Sequence, residues 1–205
     1  MGKLIVTEFV TLDGVAQAPG GPDEDRDGGF VHGGWQAPLM DEVSGGVVFE
    51  QAKSMDALLL GRRTYEIFAD YWPKASEDIP FTGLLNGVPK YVASRTLGGP
   101  LTWQGSTLVT GHLAEGIAAI KERHDEVHVI GSLDLVQSLL RFGLVDRLSL
   151  WLNPLLLGSG KRVFADGTVP TALRLTESVT YPSGTLHLAY ETAGVPTYGS
   201  LAIEE

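Results

Sequence analysis

Ala57-Leu58-Leu59-Leu60-Gly61-Arg62-Arg63-Thr64-Tyr65-Glu66 sets an apolar run directly against a glycine, two fixed positive charges and a hydroxyl. The pattern predicts a buried strand over 56–60 that hands over to a helix starting at Arg62. The first turn of a helix carries backbone N–H groups without intrahelical partners and the positive end of the helix dipole, so an anion placed there is stabilised. Arginines add forked, charge-assisted hydrogen bonds. Tyr91-Val92-Ala93-Ser94-Arg95-Thr96-Leu97 repeats the logic, with an apolar strand end followed by two hydroxyls and a guanidinium. Two such turns in an acidic chain point to one multiply phosphorylated ligand.

Working outward, the apolar pattern predicts a first strand over 4–12, closed by Asp13-Gly14, and then a long Gly-, Pro- and Asp-rich loop from Ala16 to Pro38 that embeds Phe30 and Trp35. A loop of this length inside one domain is usually functional, and its aromatics argue for an ordered cover over a ligand. Helices are expected over 41–53, with Val43, Val47 and Ala52 facing inward, and over 62–71, 113–124 and 133–142. Further strands are expected over 90–93, 106–109 and 126–130. The connection over 78–89 reads as turns. Alternating strands and helices predict an α/β fold with a mainly parallel sheet and right-handed crossovers. The last third reads differently: segments 147–152, 173–180 and 185–191 look like antiparallel edge strands, with a hairpin turn at Gly158-Ser159-Gly160. The expected sheet is therefore mixed.

With 205 residues and 43% hydrophobic content, the chain reads as a single domain spanning 1–205. A net charge of −10 argues against nucleic acid or an anionic membrane as partner, since both rely on excess Lys and Arg. The absence of cysteine excludes disulfides, zinc-thiolate sites and thiol nucleophiles. Glu8 and Asp13 interrupt the N-terminal apolar run, and no apolar run reaches membrane-spanning length, so a cytoplasmic protein is expected. His124 and His128 are four apart, but Asp125-Glu126 between them reads as a helix end, so no metal site is expected.

Ligands of doubly wound sheets sit beyond the carboxyl ends of the strands. Four points of the sequence fall at such ends: Asp13-Gly14-Val15, Gly61 to Thr64, Ser94 to Thr96 and Gly131-Ser132-Leu133. In this order, and with Val145-Asp146-Arg147-Leu148, Pro154 and Leu157-Gly158-Ser159-Gly160-Lys161-Arg162-Val163-Phe164, the motifs resemble the dihydrofolate reductase superfamily. Within it they are most similar to the branch containing the reductase domain of the riboflavin-pathway deaminase-reductase. The resemblance runs from Lys3 to about Tyr190. It implies a dihydrofolate reductase-like three-layer α/β/α fold, NADPH as cofactor and hydride transfer to a small substrate. It further implies that Gly61, Arg62, Arg63, Thr64 and Gly131, Ser132, Leu133 hold phosphates, that Ser94, Arg95 and Thr96 hold the adenosine 2′-phosphate, and that Val15, Ala16 and Gln17 line the nicotinamide end. Arg95 between two hydroxyls suits the extra phosphate of NADPH, and no acidic residue stands there to grip a free ribose hydroxyl.

Folate-reducing members carry a carboxylate on the first helix; an ungapped alignment puts Gly45 at that position, with Asp41 and Glu42 one turn away. Dihydrofolate reduction is thus the weaker alternative to a reductase acting on a heterocyclic or sugar-linked substrate, such as 5-amino-6-(5-phosphoribosylamino)uracil. Asp13 is the candidate catalytic carboxylate, able to relay a proton or to cap its own turn. Phe30, Trp35, Tyr65, Phe68 and Trp72 are candidates for an aromatic wall against a flat substrate. A non-catalytic NADPH-binding protein is a rival reading. Self-association into a homodimer through the 148–157 segment is also expected.

Overall fold

The computed structural model describes residues 1–201. Its strands are β1 (Lys3–Thr11), β2 (Ala57–Gly61), β3 (Lys90–Ala93), β4 (Ser106–Val109), β5 (Glu126–Ile130), β6 (Arg147–Asn153), β7 (Leu173–Thr180) and β8 (Leu186–Thr192). They form one sheet of order β4-β3-β2-β5-β1-β6-β8-β7. From β4 through β6 all neighbours are parallel, and β8 and β7 add antiparallel. The sheet is mixed, as expected. The 148–157 segment is not an edge strand, however: its strand part, β6, lies between β1 and β8, so that backbone is paired on both sides and offers no free edge for strand addition by a second chain. The sheet edges are β4 and β7.

Helices cover both faces, giving the three-layer α/β/α arrangement. Ile117 and Ile120 of α4 (Leu113–Lys121) and Leu135, Val136 and Leu139 of α5 (Leu133–Arg141) pack with Leu4, Val6, Leu59, Val127 and Val129. On the other face Ala52 of α1 (Glu42–Ala52), Tyr65 of α2 (Arg62–Tyr71) and Leu85 of α3 (Pro80–Gly87) pack with Leu58, Leu60 and Val92. Leu58, Leu59 and Leu60 point to alternate faces and are all fully buried, which is why the deciding run is uninterruptedly apolar.

Two local expectations are corrected. Residues 80–87 form a helix rather than turns: Pro80 occupies its first turn, where no N–H partner is lost, and Leu85 is buried. On α1 the inward positions are Ser44 and Ala52, while Val43 is exposed. Asp41 caps α1 reciprocally with Ser44, which anchors its start despite Gly45-Gly46: Ser44 N donates to Asp41 Oδ1 at 2.7 Å and Asp41 N donates to Ser44 Oγ at 3.1 Å.

Candidate active-site cleft

Parallel strand order brings the turns after β2, β3 and β5 side by side. They line one cleft of about 1570 Å³, which also takes in Ala16, Gln17 and Phe68 and continues over the sheet face of Thr7, Phe9, Ser149 and Trp151. All the residues of the Gly61–Thr64, Ser94–Thr96 and Gly131–Leu133 turns reach it.

The first and third turns are locked together. Gly61 N donates to Ser132 Oγ at 2.7 Å, and a Cβ on Gly61 would stand 2.9 Å from Ser132 Cβ and Oγ, so only glycine allows this approach. Gly131 and Ser132 both lie in the left-handed region, at φ 70° and 72°. For serine this is a strained backbone, of the kind found where function requires a particular set of N–H directions. Helices α2 and α5 begin at these two turns, so free N–H groups of both face the same space. In the second turn Ser94 Oγ accepts from the N–H groups of Thr96 (3.2 Å) and Leu97 (2.9 Å). Arg95 is exposed, lines the cleft and has no ion pair among the described residues, while Arg62 is paired with Glu66 at 3.2 Å.

Arg63 is not free. Its guanidinium meets Asp25 at 2.9 Å and Asp27 at 2.8 Å, and Lys161 Nζ meets the same two carboxylates at 2.8 and 2.9 Å. Burial pushes the Asp25 carboxyl upward, but the Lys161 hydrogen bond and the charges of Lys161 and Arg63 outweigh it, leaving the group below its ordinary value. Gln17 completes this clasp, donating to the carbonyls of Asp25 (3.1 Å) and Asp27 (3.0 Å) and accepting from Lys161 N at 3.0 Å. The long loop is thereby pinned over the start of α2.

Other expected site residues stand elsewhere. Asp13 does not line the cleft: it caps a turn, accepting from Thr11 Oγ1 (2.5 Å), Leu157 N (3.3 Å) and Gly158 N (2.7 Å). The Thr11 hydrogen bond, with those from Gly158 and Leu157, holds its carboxyl below the usual value. Val15 is fully buried outside the cleft and pairs with Arg162, so 158–163 folds back on 13–17 rather than turning into a hairpin. Phe30 and Trp35 form a small core with Val15 and Ala18 beneath the loop, where Trp35 Nε1 donates to Gln17 O at 2.8 Å. Tyr65 is buried too, its hydroxyl accepting from Trp103 N at 3.1 Å. Of the five candidate aromatics Phe68 and Trp72 line the cleft, packed edge-on to each other. His124 bonds the Tyr91 hydroxyl at 2.9 Å, and His128 lies buried in β5.

Two cleft residues, Ser149 and Glu8, were not among the expected site residues. Ser149 contacts fully buried His187 (Oγ···Nε2 2.9 Å), whose Nδ1 is 3.5 Å from Glu177 Oε1 and whose ring stacks on Trp151 at 4.7 Å. Burial holds His187 below its ordinary value and outweighs the opposing charge of Glu177. Glu8 lines the cleft as well, 3% exposed. Strand alternation alone marks Glu8 as buried, since it shares a face with Val6 and Val10.

The sequence profile of the RibD C-terminal domain family matches residues 2–187. An uncharacterized protein, YyaP, of Bacillus subtilis (strain 168) is 25% identical over 196 residues, 94% of this chain and 96% of its own. Among solved structures, a putative riboflavin biosynthesis protein from Shewanella sp. PV-4 superimposes with TM-score 0.71 at 20% identity, covering 93% of this chain and 99% of that one. A pyrimidine reductase-like protein from Corynebacterium diphtheriae gives 0.64 at 15% identity, covering 94% and 92%. The diaminohydroxyphosphoribosylaminopyrimidine deaminase/5-amino-6-(5-phosphoribosylamino)uracil reductase of Thermotoga maritima gives 0.61 at 16% identity, covering 94% of this chain and 57% of that one. The chain belongs to the RibD C-terminal domain family, the branch of the dihydrofolate reductase superfamily that its turn motifs resemble.

Proposed function

We propose that this chain is an NADPH-dependent reductase of a small heterocyclic or sugar-linked substrate, acting as one domain. The observation that carries this is the convergence of three anion-ready turns on one cleft, two of them fused through Ser132 and Gly61. The fit to a phosphorylated dinucleotide rests on the donor set. Free N–H groups at the starts of α2 and α5 suit a pyrophosphate, and Arg95, without an ion pair among the described residues and beside Ser94 and Thr96, suits a 2′-phosphate. NADPH supplies a hydride for an electrophilic C=N or C=O. The chain's part is to hold the dinucleotide along the turns, to shield the cleft with the pinned loop, and to present Phe68, Ser149 and Trp151 to the substrate.

Glu50, a carboxylate of α1 at the cleft, is exposed and paired with Lys53 at 2.5 Å, and Gly45 faces Met40, so the folate reading has no buried acid on α1 to rest on. The cations of the loop clasp, Arg63 and Lys161, are already taken by Asp25 and Asp27, which favours a substrate without a phosphate of its own. Two chains would associate through β7, where Leu173, Leu175 and Val179 are exposed. The test is to mix protein and NADPH with 5-amino-6-(5-phosphoribosylamino)uracil and with its dephosphorylated form, following NADPH consumption. Faster consumption with the second compound is expected; no consumption with either would reject this substrate class.

A further inference from the structure

Glu8 has no role in anything above, yet its position is costly. It stands in the middle of β1 beside Leu150, between Val6 and Val10, which both belong to the hydrophobic core. Its Oε1 is buried without a hydrogen-bond partner among the described residues. Such a group destabilises a fold, and a native chain that keeps one at the base of a cleft keeps it for a partner that arrives later.

The sheet register says which partner. Thr7 pairs with Ile130, so Glu8 stands level with the Gly131 turn. Reading across the sheet, the anion-ready turns end β3, β2 and β5, and β1 is the next strand. At a spacing of about 4.8 Å per strand, three steps from β3 reach β1 after roughly 14 Å, close to the span of a dinucleotide laid across the turns. Its nicotinamide end then arrives where Glu8, Ala16 and Gln17 line the cleft.

We infer that Glu8, as a neutral carboxylic acid, binds the carboxamide of the cofactor's nicotinamide, its O–H donating to the amide oxygen and its carbonyl accepting from the amide N–H. This rests on the NADPH reading above. Burial raises the Glu8 carboxyl to about 8, which keeps the donor hydrogen in place at neutral pH. A protonated acid offers one donor and one acceptor, the complement of a primary carboxamide.

Glu8→Leu and Glu8→Gln are to be titrated with NADPH and with 2′-phospho-ADP-ribose, which lacks nicotinamide, and the free proteins melted. Glu8→Leu should weaken NADPH at least tenfold and leave 2′-phospho-ADP-ribose within twofold, while the free protein melts no lower than wild type. Glu8→Gln, which keeps a donor and an acceptor, should retain NADPH affinity within about threefold. Equal NADPH affinity in wild type and Glu8→Leu overturns the assignment. So does parallel weakening of both ligands, which would make Glu8 a residue of the fold. A wild type that binds 2′-phospho-ADP-ribose but gains nothing from nicotinamide overturns it as well, whereas failure to bind either ligand removes the cofactor reading itself.

Discussion

Ser132 Oγ accepts the Gly61 N–H at 2.7 Å, joining the turn after β5 to the turn after β2 across a sequence separation of 71 residues. The contact fixes the distance between the starts of α2 and α5, the two elements whose N–H groups face the cleft.

Gly61→Ala tests that junction. The added methyl would meet Ser132 at 2.9 Å, so one turn must move. Overpacking of this kind destabilises by about 1–3 kcal/mol. Because the shift separates the two turns, NADPH affinity should fall more than tenfold, read by calorimetric titration beside a denaturant melt. Unchanged affinity would mean that the turns act independently.

Asp13→Ala should behave as loss of a turn cap. Its carboxylate accepts two N–H groups of 157–158, so its removal is expected to lower stability by about 1–2 kcal/mol with NADPH affinity within twofold. Urea unfolding measures the first and fluorescence titration the second. A large loss of hydride transfer with stability intact would restore Asp13 to the chemistry.

The loop clasp should fail in acid. Asp25 and Asp27 are held below the ordinary carboxylate value when folded, so their contribution is present above the unfolded value, about 3.9, and is lost as pH falls through the depressed folded values. The melting-temperature gap between wild type and Asp25→Asn should therefore be constant from neutral pH to about pH 5 and close below it. A gap that widens in acid would contradict the assignment.

His187 gives a second pH signature. Its folded value is depressed by burial, so the unfolded chain takes up the proton first, and stability should decline as pH falls below about 6.5. The charged groups facing it are Glu177 of β7 and Arg147 of β6, and Gln51 approaches from α1. A His187→Gln variant should lose less stability over that interval in thermal melts; an equal loss in both proteins would contradict the depressed value.

The parallel body of the sheet was legible because its strands are buried on both faces and therefore read as largely apolar runs, unbroken in 57–60 and interrupted only by His128 in 127–130. Turn chemistry at Gly61, Ser94 and Gly131 located the strand ends and hence the cleft. The aromatics misled because a ring buried beneath a loop, as with Phe30 and Trp35, has the same local sequence as one facing a ligand. Asp13 beside a glycine was equally ambiguous, its partners lying 144 and 145 residues away at Leu157 and Gly158. Position 148–157 was mistaken for an edge because pairing on both sides is decided by β1 and β8, far off in sequence. Ser149, His187 and Glu177 come together only through β6–β8–β7 register, which no local pattern encodes.

Titration of the purified chain with NADPH and NADH, followed by tryptophan quenching in wild type and Arg95→Ala, tests the cofactor assignment most directly. The account predicts micromolar NADPH binding, weaker NADH binding, and at least tenfold loss of NADPH affinity in Arg95→Ala, about 1.4 kcal/mol, with NADH unaffected. Equal affinity for the two nucleotides, or no binding of either, would contradict it.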